Sequence, residues 1–258
     1  MPTALGPSEA GDPRRYAERL TAAVAERCGG TLVAAYLHGS AALGGWVAER
    51  SDVDILFIVA DTIAASAVTA AGELLIESGA QCPGRDLECS MVTASQARSP
   101  APPWPFILHI GSGAGADGQR LYRGDGVPGD PDLLMHYAVC RAAAITLLGP
   151  APKDSIGPIA RPVILAYLAG ELGWGLANAP ECYAVLNACR AMAFLRSGRI
   201  VSKVAGGLDA LDHGLGPADL VRCALDQQQA RAPERPPGPE AVAFVHGVIE
   251  ALDAAAPA

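Results

Sequence analysis

Two apolar runs, TLVAAYLH at 31–38 and ILFIV at 55–59, flank the segment GSAALGGWVAERSDVD at 39–54. Apolar runs this short, bounded by turn residues, read as buried strands. The segment between them opens on Gly39-Ser40 and closes on Asp52 and Asp54. Residues two apart in an extended chain point to the same face, so the two aspartates project together while Val53 turns into a core. Parallel carboxylates repel unless a positive charge sits between them. A hard divalent cation suits such a pair, and magnesium commonly takes one or two carboxylates together with substrate phosphates. Gly39 lets the backbone approach a phosphate closely, and the amides that follow can point at it.

Around this segment the chain alternates. PRRYAERLTAAVAERC at 13–28 carries an apolar stripe at helical spacing and ends at Gly29-Gly30. A short helix is expected from Gly39-Ser40 to about Ala48, a strand over 53–60, a helix over 62–79 and an alternating strand, DLECSMVT, over 86–93. PFILHIG offers one more strand, and GSGAGADGQ and RGDGVPGDP read as loops. From Asp130 the texture becomes helical. DPDLLMHYAVCRAAAITLLG starts on an aspartate cap, and helices are expected over 160–177, 181–197, 203–213, 217–230 and 239–254. The expected division is a loose N-terminus at 1–12, an α/β domain at 13–128 and a helical bundle at 129–258.

The third strand adds chemistry. Asp86, Glu88 and Ser90 share one face of DLECSMVT. An acidic side chain on a strand beside two aspartates is costly unless a metal or substrate compensates, which favours a working role for Glu88 over surface decoration. It is the candidate base for an incoming hydroxyl, and a third oxygen donor beside Asp52 and Asp54.

Composition narrows the partners. The formal charge of −8 argues against nonspecific nucleic-acid binding and suits a cationic ligand. The seven cysteines include no C-x-x-C pair and no zinc spacing. Free thiols in a reducing cytosol are therefore expected. MPTALGPSEAGDP lacks the basic start and apolar core of a signal peptide, and no uncharged apolar run reaches the ~18 residues of a membrane span. A monomer in the cytoplasm without membrane contact is the expectation.

Gly39-Ser40, Gly44-Gly45 and Ser51-Asp52-Val53-Asp54 resemble the signature of polymerase-β-like nucleotidyltransferases. The order of G-S, D-x-D and a lone strand glutamate before a helical half is similar to that of the streptomycin/spectinomycin adenylyltransferases. So are DPDLLMHYAVCRAAAITLLGP and YAVLNACRAMAFLRSGRIVSKVAG. The resemblance implies an α+β fold, in which a nucleotidyltransferase domain with a mixed sheet precedes an all-α bundle. It implies AMP transfer from ATP, with Mg2+, to a hydroxyl of a small cationic aminoglycoside or aminocyclitol antibiotic. Carried over residue by residue, Ser40 holds the triphosphate, Ser51 precedes the metal pair Asp52 and Asp54, and Glu88 is the base. Arg190 and Lys203 match the helical-domain residues that reach the nucleotide.

Two departures bear on the acceptor. FILHIGSGAGA carries no tryptophan near 110, and Pro180 stands where an aspartate is expected. A cationic drug wants carboxylates and an aromatic wall. Glu181, Tyr183, Trp174 and His109 are the candidates to supply its site. The altered acceptor region leaves open another acceptor, such as a protein side chain or metabolite, and a catalytically idle nucleotide-binding module.

Overall fold

A computed structural model describes residues 11–112 and 119–256. Residues 1–10 of the expected N-terminal segment and 113–118 of the glycine-rich loop lie outside the described residues. The contacts divide the chain into two compact units, one ending at Pro158 and the other starting at Ile159.

In the first unit α1 (Pro13–Cys28) begins where the Asp12 side chain accepts from the amides of Arg14 and Arg15, and ends on Gly29 at φ 56°. There follow β1 (Leu32–Leu37), α2 (Gly39–Ala42), β2 (Val53–Val59), α3 (Ala65–Gly79), β3 (Leu87–Thr93), α4 (Ala94–Arg98), β4 (Leu108–Ser112) and β5 (Gln119–Arg123). The unit ends with α5 (Leu133–Ala143), β6 (Ile145–Leu148) and α6 (Pro152–Ser155). Among the described residues the strands form one sheet in the order β5-β4-β3-β2-β1-β6. It is mixed: β2 and β3 run parallel, and every other neighbouring pair is antiparallel.

Alternation along the central strands sorts core from site. Val53, Ile55, Phe57 and Val59 of β2 join Leu87, Cys89 and Met91 of β3 in a core with Leu20 and Val24 of α1 and Val68 and Leu75 of α3. The intervening positions, including Asp54 and Glu88, face the other way. Burial of one full face therefore fixes the register on which the site depends.

Several expected boundaries shift. The helix after Gly39 stops at Ala42 rather than near Ala48, because Gly44 adopts φ 71° and the chain turns. The strand expected from PFILHIG is β4, while β5 forms over 119–123, where no strand is expected. ITLL, expected as helix, is instead β6 on β1, with Tyr36 opposite Thr146. This antiparallel pairing ties α5 and β6 to the sheet, so the division falls at 158/159 rather than at 128/129.

The second unit is helical. It comprises α7 (Arg161–Asn178), α8 (Glu181–Ser197), α9 (Lys203–Asp212), α10 (Ala218–Gln228) and α11 (Pro239–Ala255). Its core gathers Val185, Leu186 and Cys189 of α8 with Leu220, Val221 and Leu225 of α10 and Ala241 of α11. Gly206 and Gly207 let α9 lie close on α8: a Cβ at 206 would stand 3.0 Å from the Arg190 amide nitrogen, and one at 207 would stand 2.9 Å from Leu186. Among the described residues no helix is long and apolar enough to cross a membrane.

Candidate active site

The turn after β1 is built against an aspartate. The His38 amide donates to the Asp54 carbonyl at 2.9 Å, bringing the end of β1 onto the start of β2. Gly39 follows at φ 60°, and a Cβ there would lie 1.8 Å from Asp54 Oδ2. Only glycine fits between that backbone and that carboxylate. Beside it, Ser40 Oγ is buried and has no hydrogen-bond partner. A donor left unsatisfied at the head of this turn suits a ligand oxygen.

Asp52 has a partner that the sequence pattern does not announce. Arg85, in the connection entering β3, donates from Nε at 3.1 Å and Nη2 at 2.8 Å to its two oxygens. The Arg85 amide also donates to the Ser51 carbonyl, and Ser51 Oγ accepts from the Val47 amide. Ser51 therefore closes the 47–51 turn and sets Asp52 at the strand mouth. Burial pushes the Asp52 carboxyl up from its ordinary value, and the Arg85 hydrogen bonds and charge act against that rise.

Glu88 lies next to Asp54, because the parallel register of β2 and β3 pairs the two residues. His136, on α5, reaches the Glu88 carboxylate with Nε2 at 3.2 Å. Burial raises the Glu88 carboxyl, but hydrogen bonding to His136 and its charge outweigh that and hold it ionised. Burial lowers the His136 imidazole, and Glu88 more than reverses this, favouring its protonated form. The His38 ring packs at 4.9 Å from the His136 ring and is kept neutral, pushed down to about 3 by burial and then by the charge on His136. On the neighbouring strand His109 sits opposite Ser90 and shares a 2.9 Å hydrogen bond with its hydroxyl; Asp130 is 3.7 Å from the same ring nitrogen. His109 thus belongs to this sheet face and is held there by two partners.

Of the three carboxylates expected to converge on a cation, Asp52 is engaged by Arg85 and Glu88 by His136. Among the described residues no group of three or more His, Cys, Asp and Glu side chains forms a metal cage. Magnesium does not need one, since one or two carboxylates and substrate phosphates suffice. The hard oxygens of Asp52 and Asp54 fit that ion. Glu88, committed to His136, fits the role of base better than that of ligand.

In the helical unit Arg190 donates from Nε to the Val201 carbonyl and from Nη1 to Asn187, both at 2.9 Å. This anchors the chain just before Lys203. Lys203 Nζ lies 4.4 Å over the Tyr183 ring. The Tyr183 hydroxyl donates to Glu171, and Trp174 packs edge-on against Tyr183 at 5.9 Å while half exposed. Tyr183, Trp174 and Lys203 are thus brought together, and Glu171 joins them unforeseen. Glu181 does not join them. It is 2 % exposed and accepts from Arg235 at 2.8 and 2.7 Å, from Gly238 N at 3.1 Å and from Gln227 at 3.4 Å. This corrects the expectation of a drug-binding carboxylate: Glu181 ties the proline-rich 231–238 segment to the start of α8.

His136, His38 and Arg85 are the residues that the pattern missed. Arg85 carried a faint signal, a lone cation just before an acidic strand. Nothing in an apolar helix marks His136, whose role depends on how α5 packs.

Residues 164–232 match the aminoglycoside adenylyltransferase C-terminal domain family. Among solved structures the chain is similar to a spectinomycin adenyltransferase, AAD(9), from Enterococcus faecialis, solved with ATP and spectinomycin. The TM-score is 0.63 at 15 % identity, and the match covers 92 % of this chain and 97 % of that one. No match was found among curated protein sequences.

Proposed function

We propose that this chain, whose residues 164–232 match the aminoglycoside adenylyltransferase C-terminal domain family, is a nucleotidyltransferase that transfers AMP from ATP to a hydroxyl of an aminocyclitol or aminoglycoside of the spectinomycin or streptomycin kind. The observation that carries this reading is the pairing of Asp54 with Glu88 across β2 and β3, directly behind a turn where only glycine clears the Asp54 carboxylate. This supports the reading because it sets the Gly39 turn, the Asp54 carboxylate and the ionised Glu88 beside one another.

In this reading the turn at Gly39-Ser40 receives the triphosphate, with Ser40 Oγ as a donor. Asp52 and Asp54 would hold Mg2+, which supplies neutralisation of phosphate charge. Glu88 accepts the proton of the acceptor hydroxyl. That oxygen bonds to the α-phosphorus as the bond to pyrophosphate breaks, leaving the drug as its AMP ester. Arg190 and Lys203 are assigned to the nucleotide, and Trp174, Tyr183 and His109 to the acceptor. We place the activity in the cytoplasm, in a monomer, with resistance to the drug as its consequence.

The test is a drug panel incubated with ATP or GTP and Mg2+, read by pyrophosphate release and mass spectrometry. A mass gain of one AMP on spectinomycin or streptomycin is expected. A panel left wholly unmodified overturns the reading. A second acceptor class, a protein side chain or a metabolite, is favoured by one observation: the Glu181 carboxylate, which a cationic drug would want, is spent inside the helical unit.

A further inference from the structure

We propose that His136 is a positioning residue for the reaction, aiming the Glu88 carboxylate at the acceptor hydroxyl; the inference rests on the function proposed above. Its first support is direct contact, since Nε2 of a largely buried imidazole stands 3.2 Å from Glu88 Oε1. The second is that His136 is a poor choice for stability alone. It shares α5 with Leu133, Leu134, Tyr137 and Cys140, all buried, where an apolar side chain would pack without penalty. Instead its other ring nitrogen, Nδ1, is buried with no hydrogen-bond partner. A buried polar atom left unpaired is costly, and function is a recognised reason for tolerating one.

A third support is what else the ring touches. His136 packs on His38, the residue whose amide binds the Asp54 carbonyl and whose successor is Gly39. One side chain of α5 therefore braces both the carboxylate that takes the proton and the entrance to the phosphate turn. A cationic partner lowers the basicity of a carboxylate, so what His136 contributes is orientation. Reacting groups held in one arrangement gain far more than a small change in base strength loses.

The experiment compares wild type, His136→Met and His136→Gln with whichever of spectinomycin or streptomycin the wild type modifies. It reads kcat, KM for ATP and thermal midpoint. Methionine fills the space without a donor, whereas glutamine can place a side-chain amide near the lost Nε2. The expected result is a fall in kcat of about tenfold or more for His136→Met, the size of losing one hydrogen bond to a charged group. KM for ATP should stay within about twofold, and His136→Gln should recover most of kcat. Should the methionine variant not fold, His136→Asn, whose amide falls short of Glu88, replaces it. Wild-type kcat in the donor-less variant, or an equal fall in both variants, overturns the assignment. A wild type that modifies neither drug removes the proposed function and the His136 role together, a result distinct from an active wild type with indifferent variants.

Discussion

Arg85 grips Asp52 through two nitrogens on one guanidinium edge, Nε at 3.1 Å and Nη2 at 2.8 Å, so one of the two aspartates assigned to the metal already carries a cation. The pair is unequal in exposure: the Arg85 side chain is 60 % exposed and that of Asp52 is 20 % exposed. An ion pair with so exposed a partner adds little to stability, about 1 kcal/mol or less. Arg85→Ala should therefore leave the thermal midpoint within a few degrees of wild type. Asp52→Asn should keep the fold as well, and it should abolish the Mg2+-dependent part of ATP binding in calorimetry. Unchanged Mg2+-dependent binding in Asp52→Asn would remove Asp52 from the metal site.

Glu88 and its neighbours separate binding from chemistry. Glu88→Gln retains the shape of the side chain and loses the proposed proton acceptor. ATP affinity should remain within a few fold of wild type, while AMP transfer falls by about 10²–10⁴-fold, the usual contribution of a general base. Single-turnover transfer followed by mass spectrometry checks this. Full transfer in the variant would reassign the base.

The elements around this site were legible in the sequence wherever one face had to be buried. ILFIV is a short apolar run and Val53 lies between two aspartates, so β2 and the inward turn of Val53 followed directly. The helices of the second half announced themselves by spacing, and the structure adds that Ser202 caps α9, its hydroxyl accepting from the Ala205 amide. Local pattern failed where pairing decides. QRLYR carries two arginines and forms β5 because β4 offers a ladder, Ile110 opposite Leu121. ITLL continues a helical-looking run, yet Ala144 turns extended at ψ 148° and the segment pairs with β1. Asp52, Asp54 and Glu88 could be singled out because like charges on adjacent strands are costly. Arg85 and His136, which hold two of them, are fixed only by the β2–β3 register and the packing of α5. Glu181, a candidate for the cationic drug as the acid beside Pro180, is placed by the fold alone, which encloses it with Arg235 and Gly238.

That enclosure has its own consequence. Arg235→Ala leaves the buried Glu181 carboxylate with only Gly238 N and Gln227 as partners. Removing one partner of a buried charge is destabilising. The helical unit should lose stability in denaturant unfolding. Paired replacement of Glu181 and Arg235 by apolar residues should recover much of the loss, because no charge is then stranded. If Arg235→Ala unfolds like wild type, the enclosure is not what holds the 231–238 segment.

Gly39 gives the most local test of the phosphate turn. It holds φ 60°, a conformation that side chains disfavour, and a Cβ would enter the Asp54 carboxylate at 1.8 Å. Gly39→Ala must therefore displace either the backbone proposed to receive the triphosphate or the Asp54 side chain. Both routes reach the same readout: ATP affinity should fall by about tenfold or more, while the helical unit, remote in sequence, keeps its unfolding behaviour. The contrasting control is Gly44→Ala. Gly44 also has positive φ, at 71°, but no atom lies within 4 Å of its Cβ position. That variant should lose about 1 kcal/mol of stability through backbone strain and retain ATP binding. Equal ATP affinity in the two variants would mean that contact between Gly39 and Asp54 has no part in holding the nucleotide.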